Sequence, residues 1–325
     1  MRYAVSDDTL PQDAAVSRAS AEARGLLNDA VKGAKAAGML FSGGLDTSVL
    51  AYIMPDAELF TVCFGRLGED AAMAGRVARF LGMRHRHIHV SADEAVSSVP
   101  DVIRILGSFD PALPNDVAVY FAMREAKRNG FSTVVTGDGA DELLAGYSYM
   151  RGMDDLDAYI GRIADRLYFS SNILGAAFDI EIIQPYLDPR FKGFCLALPS
   201  GMKIASHEGA EHGKWILRRA FEDCLPGEVI WQDKRPIEVG SGMSRLREII
   251  GSLVCDEEYN EAVRGSGVKF FSKEHYYYYK IYCGIFGGIG GVAIGEKKCP
   301  GCGTGMPVDA FHCRLCGHVL DWKTV

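Results

Sequence analysis

The sequence predicts an α/β fold with a Rossmann-like, mainly parallel sheet, a helical second half and a small C-terminal zinc ribbon. Through residue 137, short apolar runs alternate with segments whose apolar residues recur at helical spacing. That alternation is typical of parallel sheets covered on both faces. From about 154 to 250 the helical pattern dominates. The last 27 residues contain two Cys-x2-Cys pairs, which are typical of a metal-stabilised ribbon.

The elements of the first half are predicted from their period and composition. Each strand is a short run rich in apolar residues, and each helix places apolar residues three and four positions apart. The predicted strands are residues 38–42, 57–65, 84–90 and 132–137. The predicted helices are residues 13–36, 46–54, 69–82, 92–107 and 117–130.

Length, charge and composition restrict the function classes. The chain has 325 residues, enough for one large domain with an appendage. Its net charge of −7 and pI near 5.7 argue against nucleic-acid binding by the whole chain. No secretory signal is evident, and no apolar run approaches the ~20 residues of a membrane-spanning helix. We therefore expect a cytoplasmic protein with no membrane partner.

Two glycine- and acid-rich loops follow predicted strands. "FSGGLDTS" ends the first strand, and "TGDGADELLAGY" ends the strand at 132–137. The carboxyl ends of parallel strands meet at one edge of the sheet, where ligands bind. The glycine turn can present backbone amides to a phosphate, and Mg²⁺ would bridge that phosphate to the carboxylates. The alternative is a plain turn followed by a capped helix.

Four of the nine cysteines lie close to the C-terminus. Cys299 and Cys302 are separated from Cys313 and Cys316 by ten residues, and each pair is followed by glycine. Two such knuckles complete a tetrahedral site of four thiolates, which predicts one Zn²⁺. The alternative is a redox-active or disulfide-bonded pair.

Several basic residues in the second half could neutralise charge on a nucleotide. They are Lys214, Arg218, Arg219, Lys234 and Arg235. Pro236, Gly240 and Gly242 follow Lys234, so this lysine is predicted to sit on a positioned loop.

Residues 270–286 are aromatic-rich and include four consecutive tyrosines. A helix spreads these tyrosines around its axis, so we expect a helix packed on the main domain rather than a stacking platform for RNA. Residues 287–298 are glycine-rich and predict a linker. The predicted organisation is a main domain at 1–286, a linker at 287–298 and a zinc ribbon at 299–325.

The two loops resemble those of the synthetase domain of asparagine synthetases. Four further stretches share the resemblance: "EIIQPYLD", "GKWILRRAF", "LPGEVIWQDK" and "SKEHYYYYKIY". These enzymes belong to the PP-loop ATP pyrophosphatases. The resemblance covers residues from about 20 to 286 and keeps the order of the motifs. Leu45 in the first loop, with the pattern of the second loop, narrows it to the asparagine synthetase and β-lactam synthetase branch.

The resemblance implies an ATP-dependent ligase that adenylates a carboxylate, releases pyrophosphate and transfers the acyl group to nitrogen. The pyrophosphate would bind Ser42, Gly43, Gly44, Asp46, Thr47 and Ser48. Mg²⁺ would bind Asp46 and Asp141. The adenine would lie between Leu40 and the strand at Val62, Cys63 and Phe64. Gly137 and Asp138 would lie near the ribose and the reacting carboxylate, Asp188 would orient the site, and Lys234 would stabilise the transition state.

Some positions depart from the family pattern. Arg2 stands where glutamine-dependent members have a nucleophilic cysteine, so we expect nitrogen from ammonia, from an ammonia-supplying partner protein or from an amine on the substrate. Asp138 replaces the usual Glu, and Ala140 replaces a frequent Ser. Ile183 and Gln232 replace usual arginines. These changes affect the acceptor pocket, so the small-molecule carboxylate substrate is not assigned.

Two alternatives remain open from the sequence. Zinc ribbons occur in PP-loop enzymes that modify tRNA, so thiolation or amidation of tRNA is one, with the ribbon contacting tRNA or protein. The other is a nucleotide-binding scaffold without catalysis. The retained Ser42, Asp46, Asp141 and Lys234 argue against the scaffold.

Overall fold

The computed structural model describes residues 10–34, 37–65, 69–321 and 323. Arg2, where the sequence departs from the family pattern, lies outside the described residues.

A five-stranded, wholly parallel sheet forms the centre of the molecule. Its strands have the order β3-β2-β1-β4-β5. They are β1 (Gly38–Leu40), β2 (Glu58–Phe64), β3 (His85–Val90), β4 (Thr133–Val135) and β5 (Glu181–Ile183). The α/β fold predicted from the sequence is confirmed. The β5 strand lies in the "EII" stretch of the half that we expected to be helical.

Helices cover both faces of the sheet. Leu59 belongs to one apolar cluster and its neighbour Phe60 to the other, as alternate residues of a buried strand do. The helices before the second acidic loop are α1 (Leu10–Ala30), α2 (Leu45–Ile53), α3 (Glu69–Leu81), α4 (Ala92–Leu106) and α5 (Leu113–Arg128). The α4 helix begins with a capping box between Ser91 and Glu94 and ends at Gly107, which has a φ of 62°.

The second half is largely helical, as predicted, but its elements are short. The helices are α6 (Ala140–Leu143), α7 (Leu156–Ala164), α8 (Ser170–Ala177), α9 (Pro189–Ala197), α10 (Ser200–Lys203), α11 (Trp215–Phe221), α12 (Gly227–Ile230), α13 (Ile237–Gly240), α14 (Arg245–Ser252), α15 (Asp256–Gly265) and α16 (Lys273–Phe286). Two 3-10 turns span Ser148–Met150 and Pro185–Leu187. An antiparallel hairpin, β6 (Ala205–His207) with β7 (Ala210–His212), was not predicted.

The tyrosine-rich segment forms α16 and packs on the main domain. Tyr276, Tyr278 and Tyr282 are buried, and Tyr277 and Tyr279 are half-buried. All of them except Tyr276 pack in the apolar cluster that includes α4 and α14. Tyr276 packs against Phe270, with ring centroids 5.3 Å apart. The consecutive tyrosines therefore belong to the core.

The C-terminal ribbon contains the hairpin of β8 (Glu296–Lys298) and β9 (Gly305–Pro307). Its first strand lies inside the stretch that we expected to be a linker. The ribbon also packs directly on the main domain: the amide of Phe109 donates to the carbonyl of Leu315 at 2.9 Å, and the amide of Lys269 donates to that of Gly301 at 2.7 Å. The ribbon is thus docked and does not hang from its connection.

Candidate active site

The loop after β1 is a tight turn that only glycine can form at its centre. Gly43 has a φ of 73°, and a Cβ atom there would lie 2.6 Å from the backbone nitrogen of Ala74. The Ser42 hydroxyl oxygen accepts from the amide of Gly44 at 3.2 Å, and the Thr47 hydroxyl oxygen accepts from the amide of Ser42 at 3.3 Å. These bonds fix the turn that leads into α2.

The start of α2 offers backbone amides to an anion. Gly44 is its N-cap, and no side chain among the described residues caps the first turn. Free amides and the helix dipole at such a terminus favour a negative charge. A small pocket at this turn is lined by Gly44 together with Arg218 and Gln232. The amide of the Gln232 side chain donates to the carbonyl of Gly43 at 3.3 Å and supports the turn from outside.

Four charged side chains meet beside this turn. The ammonium group of Lys214 lies 2.6 Å from Oδ2 of Asp46 and 2.6 Å from Oδ1 of Asp141. Lys234 makes a short ion pair with Oδ2 of the same Asp141. Lys214 and Asp141 are almost wholly buried, so their charges interact in a medium that screens them weakly.

The buried charges shift one another's protonation. Burial alone would raise the pKa of Asp141, but the charges of Lys214 and Lys234 outweigh it and hold that pKa below its usual value. Burial would lower the pKa of Lys234, but Asp141 and Asp46 raise it above its ordinary range. Asp141 and Lys234 therefore both carry charge at neutral pH.

The two carboxylates of the array differ in how well they suit Mg²⁺. Oδ1 of Asp46 is buried and has no hydrogen-bond partner in the part of the chain that the structure describes. An unpartnered anionic oxygen beside a glycine turn suits a hard cation. Both oxygens of Asp141 already contact lysine ammonium groups. The donor set therefore fits Mg²⁺ at Asp46, whereas Asp141 already has cationic partners.

Asp138 lies on the wall of the site and is held by three donors. Its Oδ2 accepts from the hydroxyls of Thr136 and Ser171, both at 2.6 Å, and from the side-chain amide of Gln184 at 2.9 Å. Gln184 follows β5, so the acidic loop after β4 and the neighbouring strand together orient this carboxylate.

A cavity of 870 Å³ connects the two loops. The predicted site residues that line it are Leu40, Ser42, Asp46, Thr47, Val62, Gly137, Asp138, Asp141 and Lys234. Leu40, Val62, Ala118 and Val119 line the cavity and belong to one apolar cluster, which offers a surface on which a flat ring could pack. The lining also includes Tyr147, Tyr149, Tyr168 and Arg151.

Other predicted residues lie outside that lining. Gly43 shapes the turn, and Gly44 lines the adjoining small pocket. Ser48 is fully buried within α2. Phe64 is buried, and its amide donates to the carbonyl of Ser241 at 2.8 Å. Asp188 is the N-cap of α9 and accepts from the amide of Arg190 at 2.9 Å, which gives its carboxylate a structural function.

The four C-terminal cysteines form a compact buried cluster. Their sulfurs all lie within 4.8 Å of one another, and the closest pairs are Cys299–Cys316 at 3.7 Å and Cys302–Cys313 at 3.9 Å. Tetrahedral zinc with Zn–S bonds of about 2.3 Å separates its sulfurs by about 3.8 Å. The cluster therefore has the dimensions of a four-thiolate metal site.

A family model described as asparagine synthase matches residues 22–163 and 162–277. The chain belongs to the asparagine synthase family. It is 29% identical over 293 residues to a probable glutamine-hydrolysing asparagine synthetase of Dictyostelium discoideum, covering 77% of this chain and 52% of that protein. It is 30% identical over 276 residues to the glutamine-hydrolysing asparagine synthetase of Rattus norvegicus, covering 75% and 48%.

The chain spans about half the length of these curated relatives. Among solved structures, a predicted subunit of tRNA methyltransferase from Methanocaldococcus jannaschii has 17% identity and a TM-score of 0.28, covering 62% of this chain and 93% of that one. A likeness this low carries no argument about fold or function. No helix in the described ranges is long and apolar enough to cross a membrane.

The positions where this member departs from the asparagine synthase pattern have defined surroundings. Ile183 packs against an apolar cluster, and Gln232 supports the glycine turn. A cation that the sequence did not single out, Arg151, lines the cavity and is paired with Asp233 at 2.9 Å. Its Nε is buried without a hydrogen-bond partner among the described residues.

Two further carboxylates line this family member's cavity. Glu142 belongs to the acidic loop that the sequence marked; burial raises its pKa, and its Oε1 accepts from the Tyr147 hydroxyl at 2.6 Å. Sequence reasoning missed the other, Asp116. Burial raises its pKa to about 7, although the Ser170 hydroxyl donates to its Oδ1 at 2.5 Å. Asp116 has no local motif to mark it.

Proposed function

We propose that this chain is an ATP-dependent, AMP- and pyrophosphate-forming ligase that activates a small-molecule carboxylate and transfers it to nitrogen. One observation carries the proposal: the buried array of Asp46, Lys214, Asp141 and Lys234 stands beside a glycine turn at a helix N-terminus. Such an array combines anion-binding amides with cations and a free carboxylate oxygen. The family membership and the two loops support the same chemistry.

In the first step, an oxygen of the acceptor carboxylate attacks the α-phosphorus of ATP and the bond to the bridging oxygen of pyrophosphate breaks. The amides in the first turn of α2, after its N-cap Gly44, would bind the leaving pyrophosphate, with the Ser42 and Thr47 hydroxyls beside them. Lys234 would neutralise charge that develops on the α-phosphate. Mg²⁺, bound through Asp46 and Asp141, would supply further neutralisation of the phosphates.

In the second step, nitrogen attacks the acyl carbon and AMP leaves. The attacking nitrogen must lose a proton. Asp116 would be the residue to accept it, because it lines the cavity and burial raises its pKa to about 7. Ammonia, an amine, or ammonia supplied by a partner protein would serve as the nucleophile. Arg151 would bind a negative charge of the acceptor, in place of the arginines absent at 183 and 232.

The test is pyrophosphate release from MgATP by the full chain. One arm supplies each standard amino acid with ammonium chloride, a second replaces ammonium with glutamine, and a third supplies bulk tRNA. We expect stimulation by an amino acid with ammonium. Stimulation by tRNA alone would contradict the proposal and favour a tRNA-modifying enzyme that uses the same adenylation.

Asp46→Ala tests the assignment of the site in any arm that shows turnover. We expect the variant to lose pyrophosphate release, because the array loses its free oxygen and a partner of Lys214. Asp56→Ala, an exposed aspartate just beyond α2, is the matched control and should behave like the native chain. Equal turnover of the Asp46 variant would show that the site is misassigned.

A further inference from the structure

The second knuckle of the ribbon, defined here as residues 311–317, reaches the active-site cavity. His312 is one of the residues that line the cavity. Its Nε2 lies 3.2 Å from Oδ2 of Asp110, in the segment that leads into α5. The main domain thereby holds the imidazole in place at the cavity surface.

The residues on either side of His312 and Cys313 contact other parts of the same wall. Phe311 packs against Tyr159 with ring centroids 6.3 Å apart, and the Tyr159 hydroxyl lies 3.1 Å from that of Tyr149, which lines the cavity. The guanidinium of Arg314 lies 4.3 Å from the ring centre of Tyr168, another lining residue. Three consecutive non-cysteine positions of the knuckle thus reach the cavity wall, directly or through one tyrosine.

The knuckle is fixed against the main domain by contacts that allow little displacement. The Ser108 hydroxyl donates to the carbonyl of Arg314 at 2.7 Å, next to the backbone bond from Phe109 to Leu315. Gly317 has a φ of 73°, and a Cβ atom there would lie 2.7 Å from Cδ of Pro111. The turn after Cys316 therefore fits closely against the segment that carries Asp110.

These contacts lie beside the carboxylates assigned above to the acceptor. Tyr168 precedes Ser170 and Ser171, whose hydroxyls donate to Asp116 at 2.5 Å and to Asp138 at 2.6 Å. Leu40 and Val62, proposed to bind ATP, belong to β1 and β2, which lie on the other side of β4 from β5. The imidazole and the tyrosine hydroxyls offer hydrogen bonds on this part of the lining.

We propose that the second knuckle is a wall of the acceptor site and that His312 is a specificity-determining residue for the acceptor. The inference rests on the proposed function for the meaning of "acceptor". The acceptor carries a polar group at the end remote from its reacting carboxyl, and this group hydrogen-bonds His312 and the neighbouring tyrosines. The four cysteines then hold one wall of the active site as well as the fold of the ribbon.

The kinetic test compares His312→Ala and Arg314→Ala with the native chain in the pyrophosphate-release assay. The probe is the amino acid that stimulates the native chain most strongly with ammonium. Because each variant loses one polar or stacking contact, we expect the KM for the amino acid to rise about tenfold while the KM for ATP stays within about twofold. Lys298→Ala, on β8 at the first knuckle, is the control and should change neither. An unchanged amino-acid KM in both variants would overturn the inference.

A second measurement does not depend on turnover. Hydrogen exchange of the full chain is followed by mass spectrometry with and without a chelator that removes metal from the ribbon. We expect faster exchange in the peptides that contain Tyr149 and Tyr168, and unchanged exchange in the peptide of α2. Unchanged exchange at both tyrosine peptides after metal loss would overturn the inference.

The two failures are distinguishable. If no arm of the native assay releases pyrophosphate, the proposed function fails and the exchange measurement alone decides whether the knuckle forms the wall. If the native chain is active and the His312 and Arg314 variants keep their acceptor KM, only the inference fails.

Discussion

Nζ of Lys214 lies 2.6 Å from Oδ2 of Asp46, so the start of α11 and the first turn of α2 are joined by a buried ion pair. The same ammonium group contacts Asp141. Lys214→Ala would remove the cation between two neighbouring carboxylates. Removing one partner of a buried ion pair lowers the free energy of unfolding by roughly 3–5 kcal/mol. We expect urea unfolding to show that decrease, and we expect pyrophosphate release to be lost. Lys127→Ala removes an exposed ion pair and should cost less than about 1 kcal/mol. Equal costs for the two variants would contradict the buried network.

Gly43→Ala tests the turn after β1. The left-handed backbone costs about 1–2 kcal/mol for a residue with a Cβ atom, and the approach to Ala74 adds a steric clash. We expect lower stability in urea and no detectable pyrophosphate release. Gly25→Ala in α1 is the matched control, because a Cβ there meets nothing within 4 Å. That change should stabilise the chain by up to about 1 kcal/mol. Full activity of the Gly43 variant would show that the turn tolerates a side chain and is not built for close approach of a phosphate.

Substitutions of Asp188 distinguish a helix-capping residue from a residue that orients the active site. Asparagine caps a helix as well as aspartate does, whereas alanine costs about 1 kcal/mol. We expect Asp188→Asn to keep both stability and pyrophosphate release, and Asp188→Ala to lose about 1 kcal/mol in thermal or urea unfolding. A large loss of turnover in the asparagine variant, with stability unchanged, would restore the orienting role that the sequence suggested.

Asp116 predicts a pH dependence of stability. Its pKa is raised to about 7 in the folded chain by burial, so the folded state keeps a proton that the unfolded chain releases near pH 4. This contribution is present below pH 4 and is lost as the pH rises to about 7. Asparagine cannot ionise, so Asp116→Asn avoids this loss and should be more stable than the native chain by roughly 2–4 kcal/mol at pH 9 and not at pH 4. The difference is read from urea unfolding across that range, and a difference independent of pH would refute the raised pKa.

The cysteine cluster predicts one bound zinc per chain. Cys299→Ser combined with Cys302→Ser should lose the metal in elemental analysis, because two thiolate ligands are removed. Cys255→Ser, at an exposed cysteine outside the cluster, should keep it. Full metal content in the double variant would rule out the four-cysteine site.

The loops of the site could be predicted from sequence because their position follows from topology. Parallel strands end at one edge of the sheet, so the turn at Gly43 and the acidic loop at Asp141 had to be neighbours. Lys234 could be singled out by the proline and glycines after it. The sequence could not distinguish Lys214 from the other cations of the second half. Its position depends on a left-handed backbone, with φ of 57°, and on a hydrogen bond from its amide to the carbonyl of Leu144.

Long-range contacts explain what the sequence did not reveal. The β5 strand has three residues and forms because β4 lies beside it, so no local period marks it. The docking of the ribbon uses backbone bonds at Phe109 and Lys269, which any residue except proline can donate. His312 reaches the cavity through the docking of the ribbon, and Asp116 reaches it through the packing of α5 on the sheet.

The fit between residues 108–111 and the turn at Gly317 also restricts how the ribbon can be transplanted. A ribbon grafted onto another member of the family would lose the Ser108 and Phe109 bonds unless residues 108–111 moved with it. The ribbon and residues 108–111 are distant in the chain but depend on each other. An exchange of ribbons between relatives should therefore transfer both segments.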